Sequence, residues 1–205
     1  MKQKENIKEL LIDNTIRLIA EGGFEKATTK AITYSGGELS DFKLNEVYIY
    51  RIFGSKEHLY AAAFMSLDKQ FVHALCKSVE SYPDLTTNTS DKLHDVFENA
   101  WQFVLSSEDS CRCYVRYYYS TYFKDESRKA HNELFGRVID DFRPLFKQES
   151  DVVAIMHSVF TTLLDFAIRV YNGDLINTEN NRSHIFLVLY RTMAIYFNPE
   201  ISQAS

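Results

Sequence analysis

The chain has 205 residues, of which 45% are hydrophobic and 14% aromatic, and its formal net charge is −5. It contains only seven glycines and three prolines, whereas average usage predicts roughly 25 of the two together. Sandwiches and barrels need these residues at their many turns, and disordered or collagen-like chains are poorer in large apolar side chains, so we expect an all-α fold.

The first 60 residues predict three short helices and the start of a long one. Apolar residues recur at helical spacing over 7–19, and the pattern stops at a pair of glycines, which suits a helix end because glycine turns left-handed without a steric clash. Side chains that can cap a helix predict three further starts: a short helix after Thr28 and Thr29, another over 46–53 after Asn45, and a long helix over 56–79 after Ser55.

The rest of the chain predicts five more helices. A polar loop over 86–90 precedes helices at about 91–106, 109–123 and 126–147, the last of which should bend or end near Pro144. Ser150 and Thr178 are candidate caps of two strongly apolar helices, 151–172 and 179–197, which end at Gly173 and Pro199. The total is about nine helices.

The cysteines and the chain start indicate the compartment. Cys76, Cys111 and Cys113 are an odd number in a chain whose first six residues are polar and charged, so we expect reduced thiols in a cytoplasmic protein. No stretch reaches about 18 uncharged apolar residues, so we expect no membrane partner.

A specific motif lies within the first 60 residues. Gly23-Phe24, Thr28-Thr29 and Ile32 are followed by the run Ile-Tyr-Arg-Ile-Phe-Gly-Ser-Lys-Glu-His-Leu over 49–59. This order resembles the N-terminal DNA-binding region of the TetR family of bacterial transcriptional regulators, with a match over about 7–60. The resemblance implies a helix-turn-helix domain over 1–55 and a helical effector-binding and dimerisation domain over 56–205. It also implies a homodimer, by family default a repressor, that binds double-stranded DNA and is released by a small-molecule effector.

The motif supplies the candidate DNA contacts. A helix-turn-helix places its second helix in the major groove and presents the N-terminal side chains of that helix to base edges. By analogy with the family, Tyr48 and the residues before it would face bases, while Tyr50 and Lys56 would hold phosphates. The candidate DNA-binding residues are Thr28, Thr29, Lys30, Lys43, Asn45, Glu46, Val47, Tyr48, Tyr50, Arg51 and Lys56.

The sequence departs from the family pattern at the turn. Ile32 and Ile49 stand 17 positions apart, wider than in the family, which predicts an extended turn over 36–43. Glu46 also adds a negative charge beside the expected phosphates, although a carboxylate can accept from cytosine N4. The alternative function is therefore a helical protein-interaction module that keeps the fold, has lost specific DNA binding, and uses this turn as a contact loop.

Aromatic residues are concentrated over 114–123, where three tyrosines at four-residue spacing share one helix face. Tyrosine combines a flat apolar ring with a hydroxyl and suits a mostly apolar ligand pocket, although the same stripe is also typical of an ordinary core. The candidate effector-pocket residues are Phe71, Phe97, Trp101, Tyr114, Tyr118 and Tyr122.

The two strongly apolar C-terminal helices predict a dimer interface. A helix that is apolar on more than one face needs cover on both sides, and the resemblance implies that the last two helices pair with their two-fold mates. The alternative is a monomer core that hides both helices. The candidate interface residues are Val152, Ile155, Val159, Leu163, Val188 and Met193.

Enzymatic and metal-binding patterns are not found in the sequence. The six histidines are scattered, and Cys111 and Cys113 would project about 200° apart from one straight helix. The chain also contains no glycine-rich phosphate loop and no Gly-x-Ser-x-Gly elbow. We therefore expect no enzyme activity, no cofactor and no metal.

Overall fold

The structure is a computed structural model that describes residues 2–34 and 44–202. Within these ranges every regular element is helical, which confirms the all-α prediction. The ten α-helices are α1 Lys2–Gly22, α2 Thr29–Tyr34, α3 Glu46–Phe53, α4 Lys56–Glu80, α5 Thr89–Val104, α6 Glu108–Tyr118, α7 Asp125–Phe142, α8 Val152–Tyr171, α9 Glu179–Ala194 and α10 Pro199–Ser202, and a 3₁₀ turn, Arg143–Leu145, follows α7. The extended turn predicted over 36–43 lies outside the described residues.

Local hydrogen bonds explain the ends of the N-terminal helices. The Thr28 hydroxyl accepts from the backbone N–H of Ala31 at 3.1 Å, and the Asn45 side chain accepts from the N–H of Val47 at 3.0 Å. The Ser55 hydroxyl accepts from the N–H of His58 at 3.1 Å. Gly54 ends α3 with φ 82°, a left-handed conformation that a residue with a Cβ adopts only with strain. The predicted caps at these positions are therefore confirmed.

Three helix boundaries differ from the sequence prediction. Asp151, not Ser150, caps α8, because its carboxylate accepts from the N–H of Ala154 at 3.0 Å. Helix α6 ends at Tyr118 rather than at 123, because Ser120 turns the chain by hydrogen bonding the carbonyl of Tyr117 at 2.7 Å. Pro199 begins the short α10, which its fixed φ and missing N–H allow at a first helical position.

The chain forms two compact units. Unit 1 comprises Met1–Lys69 and Ser107–His131, and unit 2 comprises Gln70–Ser106 and Asn132–Ser205. The boundary predicted at 55/56 marks a functional division and stays a prediction. As a packed body, unit 1 also takes in the first half of α4 and all of α6, because α6 packs along α1.

The core of the N-terminal part of unit 1 joins α1, α2 and α3. Leu11 and Ile19 of α1, Ile32 of α2 and Ile49 of α3 are all fully buried. The buried side chain of Asn14 donates to the carbonyl of Ile32 at 2.9 Å and so satisfies a carbonyl near the end of α2. Packing and this hydrogen bond together fix α2 and α3 against α1.

A buried polar cluster joins α4, α6 and α7 within unit 1. Asp68 is completely buried, and its Oδ1 accepts from the Tyr114 hydroxyl at 2.8 Å. The His131 Nδ1 lies 3.1 Å from each carboxylate oxygen of Asp68. Burial, reinforced by the nearby Asp68, raises the pKa of Tyr114 well above its ordinary value of 10, so this hydroxyl stays a donor.

Helix α8 belongs to the bundle of unit 2. It packs against α5 and α9 and buries Val152, Ile155, Phe160, Leu163, Leu164 and Ala167. Of the helices in the described ranges, α8 alone is long and apolar enough to cross a membrane. A core helix of a helical bundle can have the same length and composition, and a third of the apolar window of α8 is buried within the described residues.

Candidate nucleic-acid interface and apolar cavity

Helix α3 presents one face to solvent and buries the other. Ile49 is fully buried, whereas Asn45, Glu46, Val47, Tyr50 and Arg51 are exposed. The exposed fraction is 66% for Val47 and 55% for Tyr50. Because α2 and α3 both pack on α1, the arrangement is a helix-turn-helix whose second helix offers its first turn outward.

The first turns of α2 and α3 are joined by a side-chain hydrogen bond. The Thr29 hydroxyl donates to the carboxylate Oε2 of Glu46 across 17 positions of sequence. The Glu46 carboxylate therefore has an internal partner and also connects the two helices. The negative charge of Glu46, which departs from the family pattern, is therefore hydrogen bonded to α2.

Two basic side chains lie over aromatic rings at this surface. The Arg51 guanidinium carbon is 5.3 Å from the ring centroid of the half-buried Tyr48, and the Lys56 ammonium is 5.6 Å from that of the buried Tyr60. Cations over aromatic faces are held in place while keeping hydrogen-bond donors available. Both cations are therefore positioned near α3 and available to phosphates.

The structure brings most of the predicted DNA contacts together. Helix α3 and its cap carry Asn45 to Arg51, Glu46 links this group to Thr29, and Lys56 opens α4 three residues after α3 ends. Thr28 uses its hydroxyl as a cap, and Lys30 is exposed on α2. Lys43 lies outside the described residues.

Unit 2 contains an apolar cavity of about 80 Å³. Every lining residue has an apolar side chain: Phe71, Leu75, Leu93, Val96, Phe97, Ala100, Phe135, Val138, Ile139, Phe142, Met156, Val159, Phe160, Leu163, Phe186, Leu189 and Met193. Such a site can bind apolar groups by excluding water, but it offers no hydrogen-bond partner from these side chains.

Only two of the six predicted effector-pocket residues line this cavity, namely Phe71 and Phe97. Trp101 is buried in unit 2, where its ring centroid lies 6.0 Å from that of Phe97. Its indole N–H donates to the Asn177 side chain at 3.0 Å. It is not part of the lining.

The three predicted tyrosines belong to unit 1 instead. Tyr114 packs 4.8 Å from Phe64, Tyr118 lies 4.9 Å from Phe123, and Tyr122 lies 4.6 Å from Phe24, measured between ring centroids. They form an aromatic core there, which is the ordinary-core alternative that the sequence left open.

Comparisons with known proteins identify the fold. No protein-family model and no curated protein matches the chain. Among solved structures, a TetR family transcription regulator from Marinobacter aquaeolei VT8 is similar with a TM-score of 0.76 and 17% identity, over 94% of this chain and 98% of that one. A putative TetR family regulator from Shewanella sp. PV-4 has a TM-score of 0.74 and 17% identity, over 90% and 96%. The transcriptional regulator FadR from Bacillus subtilis, in complex with stearoyl-CoA, has a TM-score of 0.66 and 16% identity, over 88% and 96%.

The chain has the TetR fold. The resemblance inferred from the motif over 7–60 is thereby confirmed for the fold of nearly the whole chain.

Within this TetR fold, the predicted dimer residues lie mainly in the core of unit 2. Val152, Ile155, Leu163 and Met193 are buried by their own chain, and Val159 lines the cavity. Val188 is 46% exposed. The sequence therefore selected the inward faces of α8 and α9, because apolar periodicity alone does not distinguish a core face from an interface face.

The outward face of α9 carries its own apolar residues. Leu187 and Val188 within α9, and Ile195 just after its last residue, are exposed by 39%, 46% and 67%. Their spacing of one, then seven positions places them on one side of the helix. The sequence could not identify this stripe, because residues 185–190 of α9 are all apolar or aromatic and their spacing marks no single face.

Sequence reasoning missed most of the cavity lining. Phe135 of α7, Phe160 of α8 and Phe186 of α9 were not assigned to the pocket, although each lies in a run with helical apolar spacing. That periodicity was the available signal, but it gives only the inward face and not the gap between faces. In the described ranges, no group of three His, Cys, Asp or Glu side chains could hold a metal ion.

Proposed function

We propose that the protein is a DNA-binding transcription regulator that acts in the cytoplasm as a homodimer, by default a repressor, and is released from its operator by a small-molecule effector. The single observation that carries the proposal is the capped first turn of α3, which is held on α1 and exposes Val47, Tyr50 and Arg51. The similarity to solved TetR-family regulators supports it.

The decisive test is selection of genomic DNA fragments with the purified protein, followed by gel shifts at several salt concentrations. Phosphate contacts release counterions, so a specific complex should weaken steeply with salt. Arg51→Ala should weaken binding at least severalfold, and Lys56→Ala should lower the salt slope by about one. Lys69→Ala, at an exposed position near the middle of α4, is the matched control and should change neither. No salt-sensitive specific complex would favour the interaction-module alternative.

The cavity supports an effector with an apolar segment. At about 80 Å³ it is well below the roughly 300–1,000 Å³ of typical ligand pockets, so the lining must move to admit a ligand. Met156 and Met193 can repack at low cost because their side chains are unbranched and flexible. The FadR structure with stearoyl-CoA makes a long-chain acyl group the first candidate.

This effector is tested with stearoyl-CoA against free coenzyme A. We expect stearoyl-CoA to raise the midpoint of thermal unfolding and to release operator DNA, and coenzyme A to do neither, because only the acyl chain can enter an apolar cavity. Stearoyl-CoA that binds tightly but leaves operator affinity unchanged would contradict the release mechanism.

Helix α4 is the proposed route between effector and DNA. It contributes Phe71 and Leu75 to the cavity lining, and it begins at Lys56, three residues after the end of α3. An effector that prefers one arrangement of α4 would shift the population of DNA-binding arrangements, and DNA would oppose that effector equally.

A further inference from the structure

The side chains of the first turn of α3 differ in how far contacts within the protein already occupy them. The Asn45 side chain is used as the helix cap, and the Glu46 carboxylate accepts from Thr29. Tyr48 is half-buried beneath the Arg51 guanidinium. Val47 is 66% exposed, more than any other large apolar side chain of α3. Val47 is therefore the side chain of this turn that is both solvent-facing and uncommitted to a polar partner.

The chemistry of Val47 restricts what it can recognise. An isopropyl group neither donates nor accepts a hydrogen bond, so it cannot recognise guanine, adenine or cytosine through their polar edges. In the major groove, only thymine displays a methyl group, at C5. Valine in a helix is almost confined to one χ1 rotamer, so its methyls are presented with little loss of side-chain entropy.

Glu46 has a different role. Its carboxylate is hydrogen bonded to Thr29, so the pair holds the first turn of α3 against the first turn of α2. A carboxylate that recognised cytosine N4 would have to leave Thr29 or share its oxygens. This favours a positioning residue over one that contacts bases.

We propose that Val47 recognises the C5-methyl group of one thymine in each half-site, and that Glu46 positions α3 through Thr29 without specifying a base. The inference rests on the proposed DNA-binding function and names the specificity residue of that same surface.

The test uses the operator selected by the wild-type protein, with each thymine replaced in turn by deoxyuridine, which removes only the methyl group. At one position in each half-site we expect the wild-type Kd to rise about three- to fivefold, as the loss of one buried methyl contact predicts. In Val47→Ser this penalty should vanish at that position, because the protein methyls are gone. Val153→Ser is the matched control, since Val153 is 56% exposed on α8, and it should keep the wild-type pattern.

The outcomes separate this inference from the function on which it rests. A wild-type protein that binds its operator with no deoxyuridine penalty at any position overturns the role of Val47, and so does a penalty that survives in Val47→Ser. Both leave DNA binding standing. A wild-type protein that selects no specific DNA overturns the proposed function itself.

Glu46 is tested by the pattern of base preference. Glu46→Gln retains an oxygen that can accept from Thr29 and should keep both affinity and preference. Glu46→Ala should weaken all operator variants by a similar factor and leave the preferred base unchanged at every position. Loss of preference at a single base pair in Glu46→Ala would instead assign Glu46 to base recognition.

Discussion

At the residue scale, the buried carboxylate of Asp68 joins side chains from three helices. Its oxygens accept from Tyr114 and lie 3.1 Å from the imidazole of His131. Burying a carboxylate costs free energy unless partners replace its lost hydrogen bonds to water. The cluster therefore makes the packing of α4, α6 and α7 in unit 1 dependent on three side chains.

We expect His131→Ala to lower the free energy of unfolding by about 3 kcal/mol, because it removes a buried side chain and leaves the buried carboxylate of Asp68 with one partner fewer. His73→Ala, on the exposed side of α4, should change it by less than about 0.5 kcal/mol. Urea unfolding followed by circular dichroism measures both. Equal losses of unfolding free energy in the two variants would contradict a special contribution of the Asp68 cluster to stability.

At the element scale, helix caps were the most predictable features. Asn45, Ser55 and Thr178 each accept from a backbone N–H two or three residues later, and the sequence identified all three because capping chemistry is local. Ser150 was the wrong choice for α8 because its neighbour Asp151 can cap equally well. The backbone conformation decides between adjacent candidates, and it depends on tertiary packing.

This correction has a direct test. Asp151→Ala should lower the free energy of unfolding by about 1 kcal/mol, because the N–H of Ala154 loses its acceptor. The neighbouring Ser150→Ala should have an effect of less than about 0.5 kcal/mol. Chemical denaturation of the two variants and the wild type measures both effects. A larger loss of unfolding free energy in Ser150→Ala would show that Ser150 is the cap of α8.

Side-chain spacing along an element predicts a shared face but not the neighbour of that face. Tyr114 and Tyr118 do stack on each other, with ring centroids 6.2 Å apart, as their spacing requires. The spacing could not show that Phe64 and Phe123 would cover them in unit 1. The cavity arises instead from side chains on five helices, which no single periodic pattern contains.

At the scale of the whole molecule, the proposed homodimer depends on the outward stripe of α9. Leu187, Val188 and Ile195 are exposed although they are large and apolar. A two-fold dimer uses the same patch on both copies and matches an operator with two half-sites. The residues that the sequence predicted for the interface instead lie mainly in the core of unit 2.

We expect Val188→Asp to shift the protein toward monomer, because two carboxylates would meet or be desolvated across a two-fold interface. Sedimentation velocity over a range of concentrations measures the change. Asn180→Asp adds the same charge at an exposed position in the first turn of α9 and should leave the dimer intact. A wild-type protein that sediments as a monomer, or a Val188→Asp protein that dimerises like the wild type, would contradict the proposed interface.

The single tryptophan of the chain gives the molecule a built-in optical reporter. Trp101 is 1% exposed, is hydrogen bonded to Asn177, and stacks on Phe97, which lines the cavity. Fluorescence excited selectively in tryptophan therefore comes from unit 2 alone, and the tyrosines of unit 1 do not contribute to it. An apolar molecule that displaces Phe97 changes the surroundings of this indole, so cavity occupancy can be followed in solution without any label.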